Sequence, residues 1–232
     1  MNLSVIIPAL NEAENIRHTI EHALDLNPHE IIVVDGGSTD DTRRIATELN
    51  CRVIDSPRGR AKQQNLGAAT ADGDTLLFLH ADCWLDPDAS RQMESSLRSS
   101  NLAGGVFCQR IEAPGIMFRL VEAGNTLRVC CTRLAFGDQG IFLRRDVFEE
   151  LGRFPESRLM EDVLLMRRYR DWGRLALLPG PLHVDARRWH KHGVIRQTVR
   201  NWLLLAAEQL GVSADRLAEF YLPHWKKLTE RS

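Results

Sequence analysis

The sequence is short of cysteine pairs, of long apolar runs and of net charge, and each shortage removes a class of protein. Five cysteines (Cys51, Cys83, Cys108, Cys130, Cys131) are scattered through 232 residues with no CxxC pair and no disulfide-like spacing. An odd count, with no basic n-region ahead of Leu3, is what a protein of the reducing cytoplasm carries. No window reaches the ~18 uninterrupted apolar residues of a membrane span. The formal net charge of −1 gives nucleic acid no electrostatic footprint to bind. There is no internal repeat and no low-complexity tract. What remains, 44% hydrophobic and 26% charged residues, is an ordinary globule with room for one domain over 1–232.

Apolar runs and turn signals alternate through the first half of the chain. Leu3–Pro8, Glu30–Asp35, Cys51–Ile54 and Leu76–Leu79 read as strands. Helices are expected over Glu14–Asp25, from about Thr39 to Asn50, and over Ala61–Ala71. That alternation predicts an α/β fold with a mostly parallel central sheet and right-handed crossovers. The second half is less regular. Strands are expected at Gly104–Ile111 and Leu175–Leu178, and helices at Gly115–Cys131, Val147–Leu151 and Met160–Trp172. Two C-terminal helices, Val194–Leu210 and Ala214–Tyr221, close the chain, with Ser213 as N-cap of the last.

The chain is organised around Asp74–Asp82. Leu76–Leu79 is an unbroken apolar run suited to a strand buried on both faces, and it stops at His80 and Asp82. One residue apart, these two point the same way in an extended segment, and both can hold a metal. Ligands of open α/β sheets sit beyond the carboxyl ends of the strands, where this pair falls. The same residues also fit a helix start, with Asp82 or Asp86 as cap. Val34-Asp35-Gly36 ends a second strand in an acid, followed by a glycine that lets backbone approach a ligand. Asp35 could equally cap the next helix. Carboxylates beside Arg58, Arg60 and Lys62 suit a nucleoside diphosphate with a divalent cation.

Four segments in order, Val5–Glu12, Ile32–Asp40, Gln64–Ala69 and Leu77–Asp82, resemble the motifs of family 2 glycosyltransferases. Glu161-Asp162 extends the similarity. The resemblance implies a GT-A fold with C-terminal helices, an inverting sugar transfer from a nucleoside-diphosphate sugar (a UDP-sugar above all), and Mg²⁺ or Mn²⁺ as cofactor. It divides the chain into a nucleotide-sugar half (1–100), an acceptor and catalytic half (101–190) and the terminal helices. It implies that Asp35 contacts the base with Asn11 and Glu12 nearby. Pro8, Gly36, Arg60, Gln64, Ala81, Arg188 and Trp189 fall within matching or neighbouring motifs at the donor. Asp82 would hold the metal. The family writes Asp-x-Asp where this chain has His80-Ala81-Asp82, so His80 either ligates the metal or lines the sugar-phosphate pocket. Asp162 matches the general base, with Glu161 beside it. His183 and His190 lie downstream where a further metal ligand can occur; a surface histidine is the plainer reading of each. Gly137–Gly140 resembles the acceptor-side loop, although its glycines also suit a simple turn.

Four further expectations follow. Asp185-x-x-Arg188-Trp189 is similar to the Gln-x-x-Arg-Trp motif of processive synthases. The altered first residue and the missing membrane spans argue against polymer synthesis. The acidic, glycine-free Pro8–Glu12 turn argues against a sugar nucleotidyltransferase, while a sugar-nucleotide-binding scaffold without activity stays open. The acceptor is read as lipid-linked or a small molecule. The basic residues around the amphipathic Val194–Leu210 segment allow peripheral contact with the inner face of a membrane; core packing or a homodimer contact are the other uses of such a helix.

Overall fold

The computed structural model describes residues 1–99 and 101–221. Its first half follows the alternation of the sequence: β1 (Leu3–Ala9), α1 (Ile16–Asp25), β2 (Glu30–Asp35), α2 (Thr42–Glu48), β3 (Arg52–Asp55), α3 (Arg60–Thr70) and β4 (Thr75–Phe78). A short strand β5 (Cys83–Leu85) and helix α4 (Asp88–Leu97) come next. The second half holds β6 (Leu102–Ile111), α5 (Ile116–Thr132), a 3-10 turn (Gly137–Gln139), β7 (Ile141–Arg144), α6 (Arg145–Glu150), α7 (Glu161–Trp172) and β8 (Arg174–Val184). Helices α8 (Arg187–His192), α9 (Val194–Gln209) and α10 (Ala214–Tyr221) complete the described chain.

One eight-stranded sheet runs in the order β3-β2-β1-β4-β7-β6-β8-β5. β3, β2, β1 and β4 are mutually parallel, as expected for strands joined by helices. The second half makes the sheet mixed: β7 runs antiparallel to β4 and β6, β8 parallel to β6, and β5 antiparallel to β8. Side chains alternate between two apolar layers, because successive residues of a strand face opposite ways. Val5, Ile7, Val33 and Leu77 pack with Ile16, Ile20 and Met93 on one face. Ile6, Ile32, Val34, Leu76 and Phe78 pack with Ala68, Phe148, Phe154 and Tyr169 on the other.

Helix α3 lies unusually tight on this second face. A Cβ at Gly67 would sit 2.5 Å from Ile6 Cγ2 and 3.0 Å from Val34 Cγ2. The close approach lets Gln63 donate to the carbonyls of Ala9 and Val34, at 2.9 and 2.8 Å, tying together the ends of β1 and β2. Asn65 and Phe154 bond reciprocally, side chain to backbone, at 2.8 and 3.0 Å. Much of the Gln64–Ala69 motif therefore positions the crevice walls rather than lining them.

β8 is longer than the expected Leu175–Leu178. It passes Pro179 and Pro181 and continues to Val184, with a register shift against β6 between Phe107 and Gln109. Ser213 accepts from Arg216 N–H at 3.4 Å, the cap expected for α10. No helix of the described residues is long and apolar enough to cross a membrane.

Candidate active site

The carboxyl ends of β1 and β4 open on a crevice of about 830 Å³. The chain leaves β4 by a turn rather than as continuing strand: Leu79 N–H still donates to Ile6 O at 3.0 Å, then Cys83 N–H closes on His80 O at 3.1 Å. That turn brings His80 and Asp82 to the same crevice, as the sequence spacing suggested, though not through an extended segment. Pro8, Glu12 and Ala81 contribute to the wall, and Arg58 and Arg60 face them from the start of α3. Arg158, Arg187, Arg188 and Lys191 complete a strongly cationic lining.

The acid at the centre is held ionised. Burial works to raise the Asp82 pKa, but Arg188, then His80 and Arg187, outweigh it and leave the group below its ordinary value. Arg187 Nη2 lies 3.4 Å and Arg188 Nη2 3.5 Å from Asp82 Oδ2, and Arg187 also bonds Glu12 at 2.6 Å. Burial, with Arg60 and Arg188 adding repulsion, pushes His80 down to about 3, so its imidazole is neutral. Its Nε2 is buried without a hydrogen-bond partner. His80, Asp82 and Cys83 bring one ligand atom each to within 4.8 Å of one another. Burial raises the Cys83 thiol well above its ordinary value, so it stays protonated and offers no thiolate.

A smaller pocket of about 80 Å³ continues from the crevice past Arg60, His80, Leu159 and Arg188. Gly137, Asp138 and Asp162 line it, with Asn201 and Leu204 of α9 on its outer side. The Gly137–Gln139 turn is fixed from below by Arg128, a buried arginine in the apolar α5. Arg128 donates to Leu134 O at 2.7 Å and Gln139 Oε1 at 2.8 Å, and its guanidinium lies 3.8 Å over the Phe136 ring. Asp162 Oδ2 accepts from Gly137 N–H at 2.5 Å, and its Oδ1 from Val163 N–H at 2.7 Å. Burial first, then the neighbouring Glu161 charge, pushes the Asp162 carboxyl up to about 6, against the opposing effects of Arg60 and the two N–H donors. A helix N-terminus favours the ionised form, but here burial prevails. Arg60 meets Glu161 at 3.2 Å and so braces the pair from the crevice side.

Most of the residues expected at the site converge there: Pro8, Glu12, Arg60, His80, Ala81, Asp82 and Arg188 on the crevice, Asp162 on the smaller pocket. Asp35 ends β2 with Oδ2 accepting from Gly37 and Ser38 N–H at 3.0 Å each, while Oδ1 is buried without a partner. It shapes its turn and does not cap α2. Asn11, in the left-handed region at φ 54°, accepts from Thr39 N–H and joins the turns after β1 and β2. Gly36 faces Gln63, whose side-chain atoms a Cβ would meet at 3.0–3.1 Å.

Three expectations need correction. His183 is not brought to the metal cluster: it lies opposite Trp84 across the β5–β8 ladder and stacks on its ring. Its nitrogens face Glu112 at 2.6 Å and Asp86 at 3.4 Å. Trp189 is 5% exposed and packs in the apolar core, because α8 turns that face toward the sheet. Gln64 is likewise buried, one position past the Gln63 that does reach the crevice. In the other direction, Arg128, Arg158, Leu159 and Arg187 were not anticipated as site residues, and Asp138 only as part of the Gly137–Gly140 loop. The arginine inside the apolar α5 was the visible signal for Arg128.

Residues 4–152 match the family model described as glycosyl transferase family 2. The chain belongs to this family. The family 2 glycosyltransferase is 29% identical over 195 residues to glycosyltransferase AglE of Haloferax volcanii, covering 74% of this chain and 62% of that one. It is 28% identical over 247 residues to a PGL/p-HBAD biosynthesis glycosyltransferase of Mycobacterium bovis, covering 99% and 93%. A dolichol-phosphate mannosyltransferase of Pyrococcus furiosus is 31% identical over 110 residues. The chain spans 62% of AglE and 31% of the Pyrococcus enzyme, less than two thirds of either. The mannosyltransferase PcManGT of Pyrobaculum calidifontis, solved with GDP-Man and Mn²⁺, superposes with a TM-score of 0.73 at 20% identity, over 95% of this chain and 69% of that one. S. aureus TarS residues 1–349, solved with UDP-GlcNAc, gives 0.62 at 18% identity, over 80% and 58%. The fold is GT-A.

Proposed function

We propose that this glycosyltransferase moves a sugar from a nucleoside diphosphate, a UDP-sugar, to an acceptor hydroxyl with inversion at the anomeric carbon. The observation that carries the reading is the cationic crevice that continues, past His80, into a pocket holding the buried Asp162 carboxylate. Arginine guanidiniums suit phosphate oxygens, and Arg58, Arg60, Arg187 and Arg188 surround the space where a diphosphate fits. In this reading Asp35, whose buried Oδ1 has no hydrogen-bond partner, reads the base.

The donor set at the strand end fits a divalent cation. Asp82 supplies an ionised carboxylate and His80 a neutral imidazole with an orphaned, buried Nε2. Asp82 and His80 would hold Mg²⁺ or Mn²⁺, and the cation would offset the charge of the departing diphosphate. Phosphate oxygens and water fill the rest of such a shell, as hard cations at phosphate sites commonly have it.

An acceptor hydroxyl is a poor nucleophile at neutral pH, so a carboxylate must take its proton as the new bond forms. Asp162, on the pocket that continues from the crevice, is assigned that role. A carboxylate with its pKa near 6 is a better proton acceptor than an ordinary aspartate and is still mostly ionised at pH 7. Gly137 N–H and Val163 N–H fix its orientation. Arg60, which lines both the crevice and the smaller pocket, pairs with Glu161 beside the base at 3.2 Å.

The test is a thermal-shift screen of UDP-, GDP- and dTDP-sugars with Mn²⁺ and Mg²⁺, followed by transfer of the radiolabelled best donor to a cell lipid extract and a small-molecule pool. Binding raises the melting temperature by mass action. Stabilisation by one nucleotide class together with a labelled glycoside product is expected. Stabilisation without any product in either pool would make the protein a sugar-nucleotide-binding scaffold.

A further inference from the structure

Two helices of this chain carry their apolar stripes outward. On α5, Ile116, Leu120 and Leu127 are 70%, 59% and 63% exposed, while Asn125 and Arg128 point inward and are buried. On α9, Ile195, Val199, Trp202 and Leu203 are exposed, while Gln197 and Glu208 are buried. A surface helix ordinarily turns its apolar stripe to the core; here Phe118, Val129 and Leu205 do face inward, but eight large apolar side chains of the two helices are exposed. They also touch: a Cβ at Gly124 of α5 would meet the Trp202 ring at 3.4 Å, so the two stripes join in one surface. Nine of the twelve large exposed apolar side chains among the described residues lie on α5, α9 or the C-cap of α9. Singly scattered apolar residues need no explanation, but a contiguous patch marks a contact surface.

Charge selects the partner. Among the described residues neither helix exposes a carboxylate. Glu122 is held by Arg119 at 3.0 Å and by Ile111 N–H, and Glu208 is buried against Arg167. The exposed charges are cations: Arg196 on α9, Arg133 at the C-cap of α5 and Lys191 on α8. An apolar stripe flanked by Lys and Arg, with a tryptophan on the apolar side, is the composition of a helix lying in a bilayer interface. A second copy of the chain fits less well, because a two-fold contact would press this cationic, carboxylate-free patch against itself.

We propose that the α5–α9 face docks on an anionic bilayer surface. Asn201 and Leu204 of α9 line the acceptor-side pocket and neighbour Trp202 and Leu203 of the stripe. Docking therefore sets the mouth of that pocket at the headgroup level, and the acceptor is a membrane lipid. This last clause rests on the sugar-transfer reading; the docking does not.

The experiment is co-sedimentation of the full chain with phosphatidylcholine vesicles, with and without phosphatidylglycerol, alongside donor affinity by calorimetry and mass by light scattering. The wild type is expected on phosphatidylglycerol vesicles, less so at high salt. Leu120→Gln/Leu203→Gln should weaken that binding on the order of a hundredfold, since two large apolar side chains no longer leave water. Arg133→Glu/Arg196→Glu should abolish the preference for phosphatidylglycerol. Both variants should bind donor as the wild type does, which separates loss of docking from loss of fold or donor site. Wild type that sediments with neither vesicle overturns the docking. So does a dimer that Leu120→Gln/Leu203→Gln splits into monomers, which would make the face a contact between copies. Vesicle binding with transfer to a water-soluble acceptor and to no lipid overturns the acceptor clause alone.

Discussion

Gly137 donates its backbone N–H to the Asp162 carboxylate at 2.5 Å. The same residue has no side chain where His80 stands: a Cβ there would lie 2.6 Å from His80 Nε2 and 3.2 Å from Asp162 Oδ2. One glycine thus forms the shared wall between the strand end that offers metal ligands and the carboxylate proposed to act as base. Arg128 holds that wall in place from the buried side.

Gly137→Ala tests whether this wall matters for chemistry or only for packing. Gly137 does not occupy the left-handed region, so its backbone accepts alanine, and the cost falls on His80 and Asp162. Overpacking of this kind costs about 1–3 kcal/mol, which a domain of this size can absorb. The variant should fold, lose at least tenfold in turnover, and keep donor affinity closer to normal than turnover. Equal losses in stability and activity, followed together by thermal melts and transfer assays, would reduce the glycine to a packing residue.

Asp162→Asn keeps the shape of the side chain and removes its basicity. Turnover with the true acceptor should drop by about 10²–10⁴-fold, the usual contribution of a positioned base. Donor affinity should stay near normal, because Asp162 lines the smaller pocket and not the arginine-rich crevice. A steady-state assay in which this variant keeps a large part of wild-type turnover would falsify the assignment.

The pH dependence has a definite sign. The Asp162 carboxyl is pushed up from 3.8 to about 6 by burial and by Glu161, and the ionised form is the proposed base. The rate should therefore fall as pH drops through about 6, roughly tenfold for each further unit, and the Asn variant should lack that limb. Stability runs the other way. A raised carboxyl pKa favours the folded state in full below 3.8 and loses that contribution as pH rises through about 6. Asp162→Asn should accordingly compare better with wild type at pH 8 than at pH 5, measured as the difference in melting temperature. An acid limb that persists in the Asn variant would assign it to another group.

The parts of this fold that the sequence made legible are those where local pattern and tertiary environment agree. β1, β2 and β4 are buried on both faces and read as unbroken apolar runs ending in Pro8-Ala9, Asp35 and His80. β8 was cut short because Pro179 and Pro181 look like a strand's end, whereas the chain continues to Val184 across a shifted register. β5, three residues long, gives no periodicity to read. At the site, residues flanking a strand end were found, and of those delivered from afar only Asp162 and Arg188, which sit in recognisable motifs, were. Arg187 reaches Asp82 and Glu12 from α8, over 100 residues later in the chain, and only the folded sheet reveals the contact. Trp189 misled for the opposite reason: a tryptophan beside a site arginine resembles a ligand contact, but α8 turns it into the core. The amphipathic character of the α9 segment was visible in the sequence, yet which way its stripe and the apolar residues of α5 faced was a tertiary fact.

The strand-end pair His80 and Asp82 supports a prediction about the metal itself. Asp82 is held ionised by Arg188 and Arg187 despite its burial, and His80 is neutral, so both are in the form a cation needs. An imidazole paired with a single carboxylate suits Mn²⁺ better than Mg²⁺, which favours oxygen ligands throughout. Donor binding should therefore be tighter in Mn²⁺ than in Mg²⁺ and should weaken when EDTA removes both. His80→Asp replaces the nitrogen ligand by oxygen beside Arg60 and Arg188, which can balance the added charge. That variant should narrow the gap between the two metals, mainly by improving the Mg²⁺ complex. Asp82→Ala removes the ligand both metals share and should abolish the metal dependence altogether, with the fold intact by thermal melt. Calorimetric titration of the donor with each metal across the three proteins decides the matter. If Asp82→Ala binds donor in Mn²⁺ as tightly as the wild type does, the crevice arginines alone hold the diphosphate and the pair is not a metal site.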